Sequence, residues 1–170
     1  MSSELAIVFT TRSGHCRTYA EALGARLKAD AHEIGDLVPR KGLFGFLRSG
    51  AQASSGKATP IRDPGVDLSA VRHVVLVQPI WASSVVPPLR TWLRAHTEEL
   101  RGRAISVLVS YYGSPLEHFR LKFEREFGPM AAFAAIAQSD PESVKASKIS
   151  EFSRKVLADL AAGGGAGGEV

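Results

Sequence analysis

Residues 5–17 read LAIVFTTRSGHCR, and the fold turns on how that stretch divides. Leu5 to Phe9 is a continuous apolar run, the pattern of a strand buried on both faces in a parallel sheet. Thr10, Thr11, Ser13 and Gly14 then interrupt it with hydroxyls and a glycine. Behind them Tyr19, Ala22, Leu23 and Leu27 recur at helical spacing. A strand, a hydroxyl-rich turn and a helix together make an anion cradle. The first N–H groups of a helix have no intrahelical partner, and the helix dipole is positive there. Hydroxyl side chains add donors, and Gly14 lets the backbone come close to a ligand. A phosphate is the natural occupant. The same residues also suit an ordinary strand-to-helix turn with Ser13 as the N-cap.

The rest of the chain frames this stretch. Its 170 residues, 45% hydrophobic and 22% charged, suit one globular domain. The expected bounds are 1–161 for that domain and 162–170 for a disordered Gly/Ala tail. No apolar run reaches the length of a membrane span. Met-Ser-Ser-Glu at the start lacks the basic region of a signal peptide, so a cytoplasmic protein is expected. Cys16 is the one cysteine, which excludes an internal disulfide and any multi-cysteine metal site.

The net charge is +4, and the excess is uneven. From Arg40 to Arg62 the chain carries Arg40, Lys41, Arg48, Lys57 and Arg62 without one acid. Leu43, Phe44, Phe46 and Leu47 in that segment suggest a short amphipathic helix. Its aromatics form an apolar cluster rather than an exposed stacking platform, which argues against nucleic acid as a partner.

Taken in order, the chain alternates strands and helices. Helices are expected over 15–29, 87–100, 115–127 and 142–160, with Val144, Ile149, Phe152, Val156 and Leu160 of the last facing inward. Strands are expected over 5–9, 32–37, 71–80, 104–112 and 130–137. This pattern implies an α/β three-layer sandwich: a five-stranded parallel sheet in the order 2-1-3-4-5, with helices on both faces. The ligand crevice then lies where strands one and three diverge, at their carboxyl ends. Thr10 to Arg17, Pro79 to Ser84 and Ser110 to Ser114 all fall at that edge.

The chain resembles the flavodoxin-like family over nearly all of its length. Thr11, Ser13 and Gly14 are similar to the family's phosphate loop, Thr/Ser-x-Thr/Ser-Gly-x-Thr/Ser. Cys16 stands where the last hydroxyl is expected, and His15 where Asn is frequent. Pro79-Ile80-Trp81 resembles the second flavin-flanking loop, and Ser110-Tyr111-Tyr112-Gly113 the third. The resemblance implies flavin mononucleotide (FMN) as cofactor, with phosphate held by Thr11, Arg12, Ser13, Gly14, His15, Cys16 and Arg17. The ring is expected beside Pro79, Ile80, Trp81, Ala82, Ser83, Tyr111, Tyr112 and Gly113. Tyr111 and Tyr112 are adjacent in a strand, so only one of them is expected on the ring.

Two functions follow from the resemblance. One is an FMN flavoprotein that carries electrons, or that reduces a quinone-like or small-molecule acceptor with NAD(P)H. Its partner is then NAD(P)H or a redox protein, and a homo-oligomer is compatible with it. The other is a flavin-free module of the same fold that serves in binding or assembly. No residue is singled out as catalytic. Three relatives in architecture are excluded by their residues. A low-molecular-weight tyrosine phosphatase needs an Arg six positions after its Cys, where Ala22 stands. A receiver domain needs an Asp where Gln78 and Pro79 stand. A dinucleotide fold needs three glycines where only Gly14 is present.

Overall fold

The computed structural model describes residues 4–38, 56 and 59–164. Five parallel strands form the central sheet: β1 (Leu5–Phe9), β2 (Ala31–Glu33), β5 (His73–Pro79), β6 (Ala104–Tyr111) and β7 (Ala132–Ala137). They lie side by side as β2-β1-β5-β6-β7, the order 2-1-3-4-5 expected from the sequence. Two further short strands, β3 (Gly35–Asp36) and β4 (Ile61–Arg62), pair antiparallel beside the sheet. The helices are α1 (His15–Leu27), α2 (Pro87–Ala95), α3 (Thr97–Leu100), α4 (Leu116–Phe127) and α5 (Glu142–Gly164).

Every residue of β1 is buried, which is why its sequence does not alternate. On one face Leu5, Ile7 and Phe9 pack with Val75 and Val77 beneath Tyr19, Ala20 and Leu23 of α1 and Phe152 and Val156 of α5. On the other, Ala6, Val8, Val74 and Leu76 meet Leu89, Trp92 and Leu93 of α2 and Phe119 and Phe123 of α4. Alternate residues of one strand thus serve two separate cores. Buried Arg90 of α2 donates to Glu126 of α4 at 3.1 Å, and Arg94 adds a second bond at 2.8 Å, fastening the two helices together.

Some element ends differ from the sequence expectation. The helix expected over 87–100 is broken at His96, whose ring binds Asp63 and Glu99, each at 2.8 Å. Pro87 and Pro88 do occupy the first helical turn. The expected second strand is split into β2 and β3. Val144 was expected inside and is 38% exposed, because α5 turns that position outward. The same helix continues to Gly164, past Leu160. The apolar cluster Leu43 to Leu47, most of the basic segment and residues 165–170 lie outside the described residues. Among the described residues no helix is long and apolar enough to cross a membrane.

Candidate functional site

Parallel strands all end at one edge, so the three marked loops are brought together by topology alone. Pro79 sits opposite Ser110 in the register of β5 and β6. The Thr10 N–H donates to the Val77 carbonyl at 3.1 Å, and the Ile80 N–H to the Ser110 carbonyl at 2.9 Å. Neighbouring strands are about 4.8 Å apart, so the loops after β1, β5 and β6 lie side by side along one stretch of that edge. It lies where β2 and β5 flank β1 on opposite sides, the switch point of the sheet.

The loop after β1 has the features of an anion cradle. Gly14 takes φ 92°, and a side chain added there would meet nothing within 4 Å, so the space before it is open. Its N–H donates to Thr11 Oγ1 at 3.0 Å, and its carbonyl accepts from Thr18 Oγ1 at 3.3 Å. Gly14, not Ser13, is the N-cap, and no side chain caps α1. The first turn carries no acid either. Arg12, Ser13 and His15 are exposed around this helix end. The donor set therefore fits a phosphate: helix N–H groups without an intrahelical partner, a hydroxyl, the Arg12 guanidinium nearby and no competing carboxylate in the turn.

Two residues of the loop are committed elsewhere. Arg17 forms an ion pair with Glu33 at the end of β2, and the hydrogen bond to Glu33 holds its pKa above the usual guanidinium value. Cys16 is 2% exposed and packs in the core with Tyr19 and Leu23. Burial pushes its thiol up to about 12, although a hydrogen bond from the Ser110 backbone pulls the other way. The sulfur thus fills the space beneath the loop.

The loop after β5 is strained. Ala82 and Ser83 both have positive φ, 48° and 50°, and the Ser84 N–H closes the turn on the Trp81 carbonyl at 3.0 Å. Positive φ at both central positions is the mark of a type I′ turn, which Asn and Gly favour. For Ala and Ser it costs roughly 1–2 kcal/mol per residue. Strain of this kind gathers at ligand sites. Buried Gln78 holds the far end of the loop, its Oε1 accepting the Val86 N–H at 3.0 Å.

Trp81 and Tyr111 are both half-buried against the same core, while Tyr112 is 83% exposed. The two tyrosines diverge where β6 ends: Tyr111 is its last residue, and Tyr112 lies in the bend that follows. Ile80 is buried, Pro79 and Ser83 are half-buried and Ala82 is exposed. Gly113, with φ 103°, turns the chain into α4.

Sequence reasoning passed over Gln78 and Lys122. A lone amide ending an apolar strand was a usable signal for Gln78. Lys122 is one charge among many on an amphipathic helix and gave none. At the opposite edge of the sheet a further group assembles. His73 Nε2 lies 2.8 Å from Ser106 Oγ, and His73 Nδ1 lies 3.1 Å from Asp159 Oδ2. These are the residue types of a hydrolytic triad, but Ser106 and His73 have no exposed surface. No substrate reaches the hydroxyl, so the group is structural. Among the described residues no cluster of three metal-binding side chains occurs.

No protein-family model and no curated protein matches the chain. Solved structures do match. A provisionally named flavoprotein from Bacteroides eggerthii aligns at TM-score 0.72 and 16% identity, over 92% of this chain and 99% of that one. A flavoprotein from Lactobacillus acidophilus, solved in complex with FMN, aligns at 0.68 and 16% over 86% and 100%. Oxidised flavodoxin 1 from Bacillus cereus aligns at 0.58 and 12% over 92% and 98%. Together with the strand order and the near-complete mutual coverage, these matches show that the chain has the flavodoxin-like fold.

Proposed function

We propose that the protein binds FMN at the carboxyl edge of its sheet and serves as an electron-transferring flavoprotein. The observation that carries this reading is the α1 N-terminus, free of a side-chain cap and of acids and with open space before Gly14, at the same sheet edge as the loops that carry Trp81 and Tyr111. The FMN complex of the L. acidophilus protein supports it. Thr11, Ser13, Gly14 and the backbone of His15 and Cys16 would hold the phosphate, with Arg12 adding charge. Trp81 and Tyr111 would flank the ring, and the Ala82–Ser83 backbone would meet its polar edge. When bound, the flavin supplies the redox chemistry, while the protein orients it and tunes it. Within this reading the electron donor is NAD(P)H or a redox protein, and the acceptor is a quinone-like or other small molecule.

A flavin-free binding module is the second reading. It draws on Cys16 and Arg17, whose side chains are turned to the core and to Glu33 rather than to the phosphate position. Titrating apo protein with FMN, by flavin fluorescence and calorimetry, separates the two. We expect one site per chain, with riboflavin binding more weakly because it lacks the phosphate. Ser13→Glu places a carboxylate at the helix N-terminus and should weaken FMN binding about tenfold. Absence of saturable binding would leave the flavin-free module standing.

A further inference from the structure

Lys122 lies on α4 between Phe119 and Phe123, both fully buried against the sheet. Its ammonium reaches across to the strained loop after β5. Nζ donates to Ser84 Oγ at 3.2 Å and to the Ala82 carbonyl at 3.5 Å. Ser84 itself is buried, and Ala82 is the first of the two left-handed residues. A turn with two non-glycine residues at positive φ persists only where its surroundings over-determine it. Here the turn's own Ser84 N–H bond to the Trp81 carbonyl is joined by the Gln78 anchor at Val86 and by Lys122. Lys122 alone of these brings a charge.

We propose that Lys122 is a positioning residue for the ring side of the site. It holds the Trp81–Ser84 turn in its left-handed form and places one positive charge beside that turn. The proposal rests on the FMN reading for its second half. A flavin gains electron density on reduction, so a cation held nearby favours the reduced form. The first half concerns the protein alone. The helix spacing of Phe119, Phe123 and Phe127 sets the inward face of α4 and leaves Lys122 beside it, free to cross to the loop.

The test uses Lys122→Met and Lys122→Arg in the full chain. The two tryptophans are Trp81 and fully buried Trp92, so acrylamide quenching of the apo protein reports mainly on Trp81. Lys122→Met should make Trp81 more quenchable, and Lys122→Arg should restore the parent behaviour. With FMN bound, Lys122→Met should raise Kd about fivefold. It should also lower the midpoint potential, read against a reference dye during reduction by dithionite. If the parent takes up no FMN, the proposed function falls, and quenching still decides the tether. If the parent binds FMN but Lys122→Met matches it in quenching, affinity and potential, the role of Lys122 is overturned. Weakened binding at an unchanged potential would overturn the charge role and keep the tether.

Discussion

His73 Nε2 lies 2.8 Å from Ser106 Oγ, both residues fully buried at the edge of the sheet opposite the candidate site. This pair joins the first residue of β5 to the third of β6 and leaves His73 Nδ1 facing Asp159 on α5. Ser106→Ala should cost about 1–3 kcal/mol in urea unfolding, because one buried ring nitrogen loses its partner. Adding His73→Leu should recover part of that loss, since an apolar pair needs no bond. Hydrolysis of a nitrophenyl ester should be the same for parent and Ser106→Ala. A rate that vanished with the serine would refute the structural assignment.

Two histidines should set the pH dependence of stability in opposite directions. Burial lowers the pKa of His73 below its ordinary 6.5, although Asp159 pulls it up. The unfolded chain then takes the proton first, so the stability from His73 is present above 6.5 and is lost as pH falls. His96 is raised instead: burial lowers it, but the bonds to Asp63 and Glu99 outweigh burial. Its contribution is present below 6.5 and lost as pH rises through the raised value. His96→Gln should therefore destabilise more at about pH 5.5 than at about pH 8, and His73→Gln the reverse. Melting temperatures of both variants across that range check the signs; parallel curves would contradict them.

Cys16 should be inert while the protein is folded. Its thiol is pushed up to about 12 and is 2% exposed, so almost no thiolate is available at neutral pH. Reaction with dithionitrobenzoate should be at least about a hundredfold slower for native than for unfolded protein. Because the folded value exceeds the ordinary 9.0, stability should also decline as pH rises above 9.0. Rapid stoichiometric labelling of the native protein would show that the thiol is not part of the core.

Gly24 is in the middle of α1, where Ala would ordinarily stabilise by about 1 kcal/mol. Here a Cβ would stand 2.8 Å from the Ala29 carbonyl oxygen, at the turn that follows the helix. The Ala29 N–H also donates to the Gly24 carbonyl at 3.2 Å. Gly24→Ala should therefore destabilise by about 1–3 kcal/mol, the reverse of the propensity expectation. A raised melting temperature would mean that the turn yields without cost.

The sheet was legible in the sequence because burial writes itself locally. β1, β5 and β6 are covered on both faces, so β1 is apolar throughout and β5 and β6 are apolar apart from His73, Gln78, Ser106 and Ser110. α1 and α4 are covered on one face, so theirs recur at helical spacing. Parallel strands end at one edge, and so the runs also announced which loops would meet. The partner of each side chain was another matter. Arg17 finds Glu33, His96 finds Asp63, His73 finds Ser106 and Lys122 finds Ser84, at separations from 16 to 38 residues. Nor did any pattern tell that Tyr111 would pack while Tyr112 stood in solvent. Periodicity records which face of an element is covered. Which residue covers it depends on strands and helices far apart in the chain, and only their packing in three dimensions decided that.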